Sequence, residues 1–302
     1  MPKARPGDYL LLHLCIVFWG FTSVLGVLSS LEAPYLVFYR SLLAFASLLL
    51  VMRWRKISLQ FPYASVSWLT LAGLLTAFHW ITFFAAARMS NVSTCLAGMS
   101  TTALWTSLLE PWLTGKKFQR SELLLALLVS SGLVLIFWSD FSLAGGLTVS
   151  LISAVSCALF TIINRNLVAR HSAYSITAWE MGIAFAGTAL SLPLLFRAGL
   201  IPQALPPVPA GWDWPNIFFL GWVCTVFAYT VSVELMKRLT AFAVTLTVNL
   251  EPVYGIFLGL LVFGKKEEMH PLFYLGMMLI LGGVLLFPWL DARNRKAAEQ
   301  EG

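Results

Sequence analysis

The sequence has few charged residues for its length. Charged side chains make up 11% of the 302 residues, whereas 59% of the residues are hydrophobic and the mean hydropathy is +0.80. So little charge cannot give a soluble core a solvated surface, which excludes a soluble globular domain. Because helices are the usual way to satisfy the backbone inside lipid, the composition predicts an all-α integral membrane protein with several spans.

Cysteine and the motifs of common enzymes are also scarce. The four cysteines, Cys15, Cys95, Cys157 and Cys224, all lie within apolar runs and have neither metal-ligand spacing nor an extracellular pairing pattern. The sequence contains no H-E-x-x-H, G-x-S-x-G or phosphate-binding glycine loop, and no paired aspartates for a diphosphate-bound metal. We therefore predict no catalytic residue, no metal site, no cofactor and no enzymatic activity.

Apolar runs that can cross a bilayer recur ten times. A transmembrane helix needs about 20 mostly apolar residues. The predicted spans are Tyr9–Ser29, Pro34–Met52, Trp68–Ala87, Asn91–Leu113, Leu123–Trp138, Gly145–Leu167, Tyr174–Phe196, Asn216–Met236, Thr240–Phe263 and Pro271–Leu290. The first run has no clear small-residue cleavage site, so we expect an uncleaved span rather than a signal peptide.

Basic residues are distributed unevenly between the connecting segments. The net charge of +6 would suit nucleic acid in a soluble chain, but here the basic residues lie between spans, where they set orientation. With a cytoplasmic N-terminus, the external segments hold only Arg88, Arg197, Lys265 and Lys266. The internal segments hold Lys3, Arg5, Arg53, Arg55, Lys56, Lys116, Lys117, Arg120, Arg165, Arg170, Lys237, Arg238, Arg293, Arg295 and Lys296. We expect a multi-pass protein of a bacterial inner membrane with both termini cytoplasmic, the lipid bilayer and no nucleic acid as partner, present as a monomer or homodimer.

The two halves of the chain repeat one another weakly but in consistent order. Since each half has five spans, an odd number, the second half must run through the membrane inverted, as in many secondary transporters. We predict two five-helix repeats, residues 1–140 and 141–302. The matches are Phe38–Ser47 with Ala178–Gly187 at an offset of 140, Phe21–Thr22 with Phe160–Thr161 at 139, Gly132–Phe137 with Gly282–Phe287 at 150, and, at 149, Gly115–Lys117 with Gly264–Lys266, Trp80 with Tyr229 and Trp105 with Tyr254.

The ninth span contains polar residues where charge is expensive. Asn249, Glu251 and Pro252 lie at its midpoint, where a carboxylate costs roughly 2.5 to 3.5 kcal/mol. Pro252 also leaves the Val248 carbonyl without its helical donor. Two interpretations follow: Glu251 binds substrate or couples transport to protons, or it is a packed, protonated side chain at a kink. As a coupling acid, its proton affinity would depend on what occupies the cavity.

Several aromatic residues lie away from the membrane interfaces. Trp19, Trp80 and Trp105 are nearer mid-membrane, together with Tyr229 and Tyr254. By helical spacing, Thr247 and Glu251 share a face with Tyr254, and Thr102 shares one with Trp105. A cavity with aromatic walls and few polar groups suits an amphipathic or cationic organic solute. The alternative is that these rings face lipid.

Three further polar residues lie within spans. His79 is either a ligand or proton relay or a structural histidine. Arg40 and Glu180 occupy equivalent places in the two halves, each roughly 9 Å into its span, and either pair within the protein or serve substrate and coupling. The predicted substrate-binding residues are Trp19, His79, Trp80, Thr102, Trp105, Tyr229, Thr247, Asn249, Glu251 and Tyr254. The predicted coupling or gating residues are Glu251, Pro252, Arg40 and Glu180.

Short motifs across the chain carry a family resemblance. They are Trp19-Gly20, Arg40, Leu250-Glu251-Pro252-Val253, and a Gly-Lys-Lys element after spans four and nine. With them the chain resembles the EamA-like branch of the drug/metabolite transporter superfamily. The resemblance implies ten helices in two inverted repeats around a central cavity that moves small metabolites by alternating access, often outward. The chain departs from the family at Lys116 and Lys265, where Gly-Glu is common, and at Ala103, where the partner of Pro252 would be proline.

The function expected from this resemblance is secondary active export of small organic metabolites, above all amino acids or similar amphipathic solutes, with protons as a candidate coupling ion. One alternative is an uptake system or exchanger for a nucleoside, sugar phosphate or quaternary amine. Another is an intramembrane lipid-modifying enzyme, which needs a metal or nucleophile near one interface that the sequence lacks. The last alternative is a membrane protein that does not itself transport a solute, and it predicts no substrate flux in liposomes.

Overall fold

The computed structural model describes residues 4–139, 143–279, 282–283 and 286, and the described residues contain no β-strand. One long helix, Asp213–Leu235, is wound as a π-helix in its central part, Phe219–Tyr229. A 3₁₀ turn spans Gly264–Glu267. The helices are α1 Pro6–Leu28, α2 Ala33–Arg55, α3 Tyr63–Met89, α4 Val92–Met99, α5 Thr102–Thr114, α6 Arg120–Ser139, α7 Ala144–Leu167, α8 Ala173–Arg197, α9 Asp213–Leu235, α10 Ala241–Val248, α11 Glu251–Phe263 and α12 at residues 271–279.

Seven segments of the described chain are long and apolar enough to cross a membrane. They are Pro6–Leu28, Ala33–Arg55, Tyr63–Met89, Ala144–Leu167, Ala173–Arg197, Asp213–Leu235 and Ala241–Glu267. The predicted all-α membrane fold is thereby confirmed. The fourth predicted span is divided between α4 and α5, the fifth corresponds to α6, and the tenth starts in α12 and continues past the described residues. The predicted boundary between the repeats, at residue 140, also lies outside the described residues.

The fourth and ninth predicted spans are each broken near the middle, at equivalent places. Helices α4 and α10 have 8 residues each, and α5 and α11 have 13 residues each. Every boundary in the second pair lies at an offset of 149 from its counterpart in the first. The N-caps match too, since the side chains of Asn91 and Thr240 each accept an amide hydrogen bond at the start of α4 and α10. Matched breaks are what an internal repeat would produce.

Hydroxyl side chains explain the first break, which has no proline. Ser100, Thr101 and Thr102 donate hydroxyl hydrogen bonds of 2.6, 2.8 and 2.6 Å to the carbonyls three residues earlier. Such bonds compete with the α-helical pattern. In the second break Pro252 occupies the first turn of α11, where a missing amide hydrogen costs little. The irregularity predicted at Pro252 is therefore the start of a new helix.

The third and fourth spans of each half pack on the first span of the other half. Helix α3 packs on α7 while α9 packs on α1, and α4 and α5 pack on α7 while α10 and α11 pack on α1. The crossing of α1 and α11 needs glycine: a Cβ atom on Gly20 would lie 2.6 Å from the Cβ of Tyr254. This close crossing brings the middle of α1 against the start of α11.

Polar contacts join the α1–α2 connection to α3 and α9. Arg88 Nη2 donates to the carbonyls of Gly26 (2.7 Å) and Ser29 (3.1 Å). The Asp213 carboxylate accepts from the Ser29 hydroxyl (2.7 Å) and the Ser30 amide (2.9 Å). In the predicted orientation this connection is external, so these contacts hold the external ends of α1, α3 and α9 together.

Ion pairs lie at the opposite face. Lys116 Nζ bonds Glu110 (3.1 Å) and Glu122 (2.9 Å), and Arg238 Nη2 bonds Asp8 (2.7 Å). Burial acts to lower the pKa of Lys116, but the two carboxylates outweigh it and raise that pKa above its ordinary value. The hydrogen bond to Asp8 is the main cause that raises the pKa of Arg238. Both cations therefore stay charged at neutral pH.

Candidate functional site

A cavity lies between α1, α2, α3, α7 and α9 and the two helix breaks. It has about 760 Å³ of space between protein atoms, including the part that is continuous with its opening. Most of its wall is aromatic or aliphatic. Its lining residues are Trp19, Thr22, Arg40, His79, Trp80, Phe83, Met99, Thr102, Cys157, Phe160, Thr161, Asn164, Tyr229, Ser232, Val233, Met236, Val244, Thr245, Val248 and Glu251.

The structure brings about half of the residues predicted for the site to this cavity. Those that line it are Trp19, Arg40, His79, Trp80, Thr102, Tyr229 and Glu251. Those that do not are Trp105, Glu180, Thr247, Asn249, Pro252 and Tyr254. Asn249 is buried at the break between α10 and α11, and the Thr247 hydroxyl donates to the Ala243 carbonyl at 2.7 Å.

Two of the predicted aromatic residues make contacts away from the cavity. Trp105 Nε1 donates to the Thr101 hydroxyl at 3.2 Å, and the Tyr254 hydroxyl bonds His13 Nε2 at 2.6 Å. The helix break separates Thr247 from Glu251, so these two residues no longer follow one 3.6-residue period. Trp105 and Tyr254 lie on the same helices as Thr102 and Glu251 but do not line the cavity.

Equivalent positions of the two halves meet at the cavity. Ten lining residues form five pairs related by the offsets found in the sequence. They are Thr22 with Thr161 at 139, and Trp80 with Tyr229, Phe83 with Ser232, Met99 with Val248 and Thr102 with Glu251 at 149. The cavity therefore lies between corresponding segments, and Thr102 occupies in the first half the place that Glu251 has in the second.

Arg40 brings a buried positive charge to the cavity. Its side chain extends from α2 and is 3% exposed. Nε donates to the Thr225 hydroxyl at 2.9 Å, and the guanidinium carbon lies 3.8 Å from the centre of the Trp80 ring. No carboxylate of the described chain lies within ion-pairing distance of it. The two contacts hold the guanidinium in place and leave its charge unneutralised.

Glu251 brings a carboxyl group to the same cavity. It is the first residue of α11 and is 7% exposed, and the side chain of Thr22 lies close to its carboxylate. Arg40 is near enough to interact with it electrostatically but too far for an ion pair. The positive end of the α11 dipole favours an anion at this position. The cavity thus carries a guanidinium group and a carboxyl group on separate parts of its wall.

His79 is held by α7. Its Nδ1 lies 2.8 Å from the hydroxyl of Ser153, and that hydroxyl donates to the His79 carbonyl at 2.8 Å. The ring packs near Phe83 and Phe160, with centroid distances of 5.9 and 5.5 Å. These contacts fix the orientation of the ring where it borders the cavity.

Sequence reasoning missed Asn164, which lines the cavity from α7. Its Nδ2 donates to the Tyr229 hydroxyl at 3.1 Å, while its Oδ1 is buried without a partner. A buried amide oxygen without a partner costs free energy, so it is a candidate acceptor for a bound solute. In the sequence, the signal that could have identified Asn164 is an amide side chain within an apolar span.

Metal binding has no obvious location in the part of the chain that the structure describes. No group of three or more His, Cys, Asp or Glu side chains lies close enough together there to hold an ion.

A helical membrane protein with a charged, aromatic cavity in its interior has the features of a solute transporter. The chain matches the model of the EamA-like transporter family over residues 7–138 and 144–289. It belongs to this family and is a membrane transporter, as its sequence motifs predicted.

Relatives agree with this assignment. The pseudopaline exporter CntI of Pseudomonas aeruginosa is 24% identical over 264 residues, covering 85% of this chain and 84% of that protein. An uncharacterized transporter of Archaeoglobus fulgidus is 24% identical over 295 residues, covering 92% and 96%. A crystal structure at 18% identity superposes with a TM-score of 0.71 over 96% of this chain and 99% of that one, which shows a common fold.

Proposed function

We propose that this protein is a secondary active transporter that exports amino acids or similar amphipathic zwitterions across a bacterial inner membrane by alternating access. One observation carries the proposal: Arg40 and Glu251 line the same aromatic cavity without forming an ion pair with each other. Two buried charges that are held apart match a solute with opposite charges at separate atoms.

A zwitterion neutralises both residues at once. Its carboxylate fits the planar fork of the Arg40 guanidinium, and its ammonium group pairs with Glu251. The rings of Trp19 and Trp80 offer faces to the ammonium group and to an apolar side chain. Because each unpaired buried charge is costly, binding a solute of one charge only would leave the other residue uncompensated.

The proposed architecture is ten spans in two inverted five-helix repeats, residues 1–140 and 141–302. Three features support it: the matched helix breaks, the packing of each half on the first span of the other, and the paired residues that line the cavity. The two stretches that match the family model divide the chain near the same place. Repeats of this kind put the substrate site at their interface near mid-membrane.

Export is supported by the relative named as an exporter and by the arrangement of the cavity. The lining extends to Asn164 and Met236, near the ends of α7 and α9 that are cytoplasmic in the predicted orientation. The opposite ends are held together by Arg88 and Asp213. A state closed to the outside is the one that an exporter loads from the cytoplasm. Family membership also favours transport over the lipid-modifying enzyme.

Flux measurements on purified protein in liposomes test the proposal. We expect tritiated L-phenylalanine to enter protein-containing liposomes faster than empty ones and to exchange with unlabelled L-phenylalanine. The same liposomes are then tested with uridine, glucose 6-phosphate and choline. Faster movement of one of these solutes, with none of phenylalanine, would establish the alternative substrate class. No flux of any solute by folded protein would contradict transport of these classes and favour a non-transporting partner.

The tryptophans separate cavity residues from packing residues. We expect Trp80→Leu to weaken L-phenylalanine binding by about 1 kcal/mol or more, because a ring that contacts the ligand and supports Arg40 is lost. Trp105→Leu is the matched control, since Trp105 lies outside the lining and bonds Thr101. Calorimetric titration of both variants checks this. An equal or larger loss in Trp105→Leu would favour the sequence-based prediction that Trp105 binds substrate.

Orientation is tested by cysteine labelling. Leu205 is 78% exposed in the proline-rich connection, which the basic-residue distribution predicts to be external. In a variant without the native cysteines, we expect Leu205→Cys to react with a membrane-impermeant maleimide in intact cells, and Arg55→Cys to react only after permeabilisation. The reverse pattern would invert the topology and the assignment of the open end.

A further inference from the structure

Glu180 is a second carboxylate in the membrane interior, outside the cavity lining. It lies on α8 and is 0% exposed. Its Oε2 accepts a hydrogen bond of 3.0 Å from the Tyr229 hydroxyl, and its Oε1 has no partner. No basic side chain of the described residues lies within ion-pairing distance of it. Its environment therefore differs from that of Glu251, which borders the cavity and interacts with Arg40.

Tyr229 connects this carboxylate to the cavity. Its ring lines the cavity next to Trp80 and Phe160, at centroid distances of 6.2 and 6.0 Å. Its hydroxyl, beyond the ring, contacts Glu180 and also accepts from Asn164 Nδ2 at 3.1 Å. A solute that displaces the ring therefore alters a hydrogen bond that Glu180 accepts.

The surroundings of Glu180 favour its protonated form in this state. The helices that pack on α8 are α2, α3 and α9. In the membrane interior their charged or titratable side chains are Arg40, His79, Cys224 and Tyr229. Arg40 is bound to Thr225, His79 to Ser153, and the Cys224 thiol to the Phe18 carbonyl. An ionised carboxylate here would have only the Tyr229 hydroxyl and the Asn164 amide as donors and no cation, which makes the charged form costly.

We propose that Glu180 binds the coupling proton, and that Tyr229 links the protonation of Glu180 to occupancy of the cavity. Glu251 then serves as a substrate contact. When substrate displaces the Tyr229 ring and water enters, the O–H bond of the Glu180 carboxyl group breaks and the proton passes to that water. That water then solvates the carboxylate, and no other covalent bond changes. This proposal rests on the proposed function, secondary active export, and identifies protons as the ions that are exchanged for substrate.

Infrared spectroscopy tests the protonation without any substrate. In purified protein at neutral pH we expect the C=O stretch of a protonated carboxylic acid, lost in Glu180→Gln and retained in Glu234→Gln. Glu234 is the matched control because it is paired with Lys237 at 2.8 Å. Tyr229→Phe keeps the ring and removes the hydroxyl, so the band should shift in frequency. A carboxylate band for Glu180 at neutral pH, or an unshifted band in Tyr229→Phe, would overturn the corresponding part of the proposal.

Transport assays test the coupling. In liposomes we expect Glu180→Gln to lose accumulation of tritiated L-phenylalanine driven by a pH gradient, while phenylalanine exchange stays within about threefold of the wild type. Accumulation at the wild-type level in Glu180→Gln would overturn the proposal. If the wild type neither accumulates nor exchanges phenylalanine, the proposed function has failed instead, and the infrared result alone decides whether Glu180 holds a proton.

Discussion

Replacing Arg40 with glutamine is expected to weaken binding of L-phenylalanine roughly 30-fold or more. Loss of one partner from a buried, hydrogen-bonded charge pair costs about 2 to 5 kcal/mol, and each 1.4 kcal/mol is a factor of about ten in affinity. Arg40→Lys keeps the charge but loses the planar fork and the bond from Nε to Thr225, so we expect an intermediate loss. Calorimetric titration of the purified variants gives both values.

A structural role for Arg40 predicts another outcome. Its contacts with Thr225 and Trp80 also stabilise the packing of α2, α9 and α3, so thermal unfolding must be measured beside binding. Arg55→Gln is the matched control, because Arg55 lies at the exposed end of α2. Wild-type affinity in a folded Arg40→Gln protein would remove Arg40 from the binding site.

Replacing Glu251 with glutamine is expected to abolish binding and exchange of L-phenylalanine together. The amide has nearly the shape of the carboxylate but cannot neutralise an ammonium group, so we expect a loss of roughly 30-fold or more in affinity. Thr102→Ala offers a comparison at the equivalent position of the first half, where no charge is lost, and its effect should be much smaller. Equilibrium binding and exchange are measured on the same preparations.

The opposite pattern would assign the proton to Glu251. If Glu251→Gln loses accumulation driven by a pH gradient while exchange largely survives, the carboxylate carries the proton and does not contact the substrate. That result would also contradict the assignment of the proton to Glu180. The two variants, Glu180→Gln and Glu251→Gln, therefore separate coupling from recognition when they are compared under one set of conditions.

The sequence predicted the features that depend on composition and on position along the chain. Hydropathy indicated an all-α membrane protein, which the structure and the family match confirm. The offset of 149 found from Trp80 and Tyr229 recurs in the boundaries of the broken helices and in the paired lining residues. An offset depends only on the order of the residues along the chain, so a single sequence is enough to detect it.

The sequence did not predict features that depend on helix rotation. Arg40 and Glu180 lie at equal depths in equivalent spans, yet Arg40 borders the cavity and Glu180 lies behind Tyr229. Periodicity within one helix cannot say which face meets which neighbour, because packing between helices decides it. The break at Ser100–Thr101 was also missed, since three adjacent hydroxyl residues are a weaker signal than proline.

A ligand series on the purified wild-type protein tests most directly whether the cavity recognises a zwitterion. L-Phenylalanine, phenethylamine and 3-phenylpropionate share the same ring and differ in whether they carry the ammonium group, the carboxylate or both. If Arg40 and Glu251 bind the two charges, calorimetric titration will show L-phenylalanine binding at least tenfold more tightly than either singly charged compound. Phenethylamine or 3-phenylpropionate binding as tightly as L-phenylalanine would contradict the account.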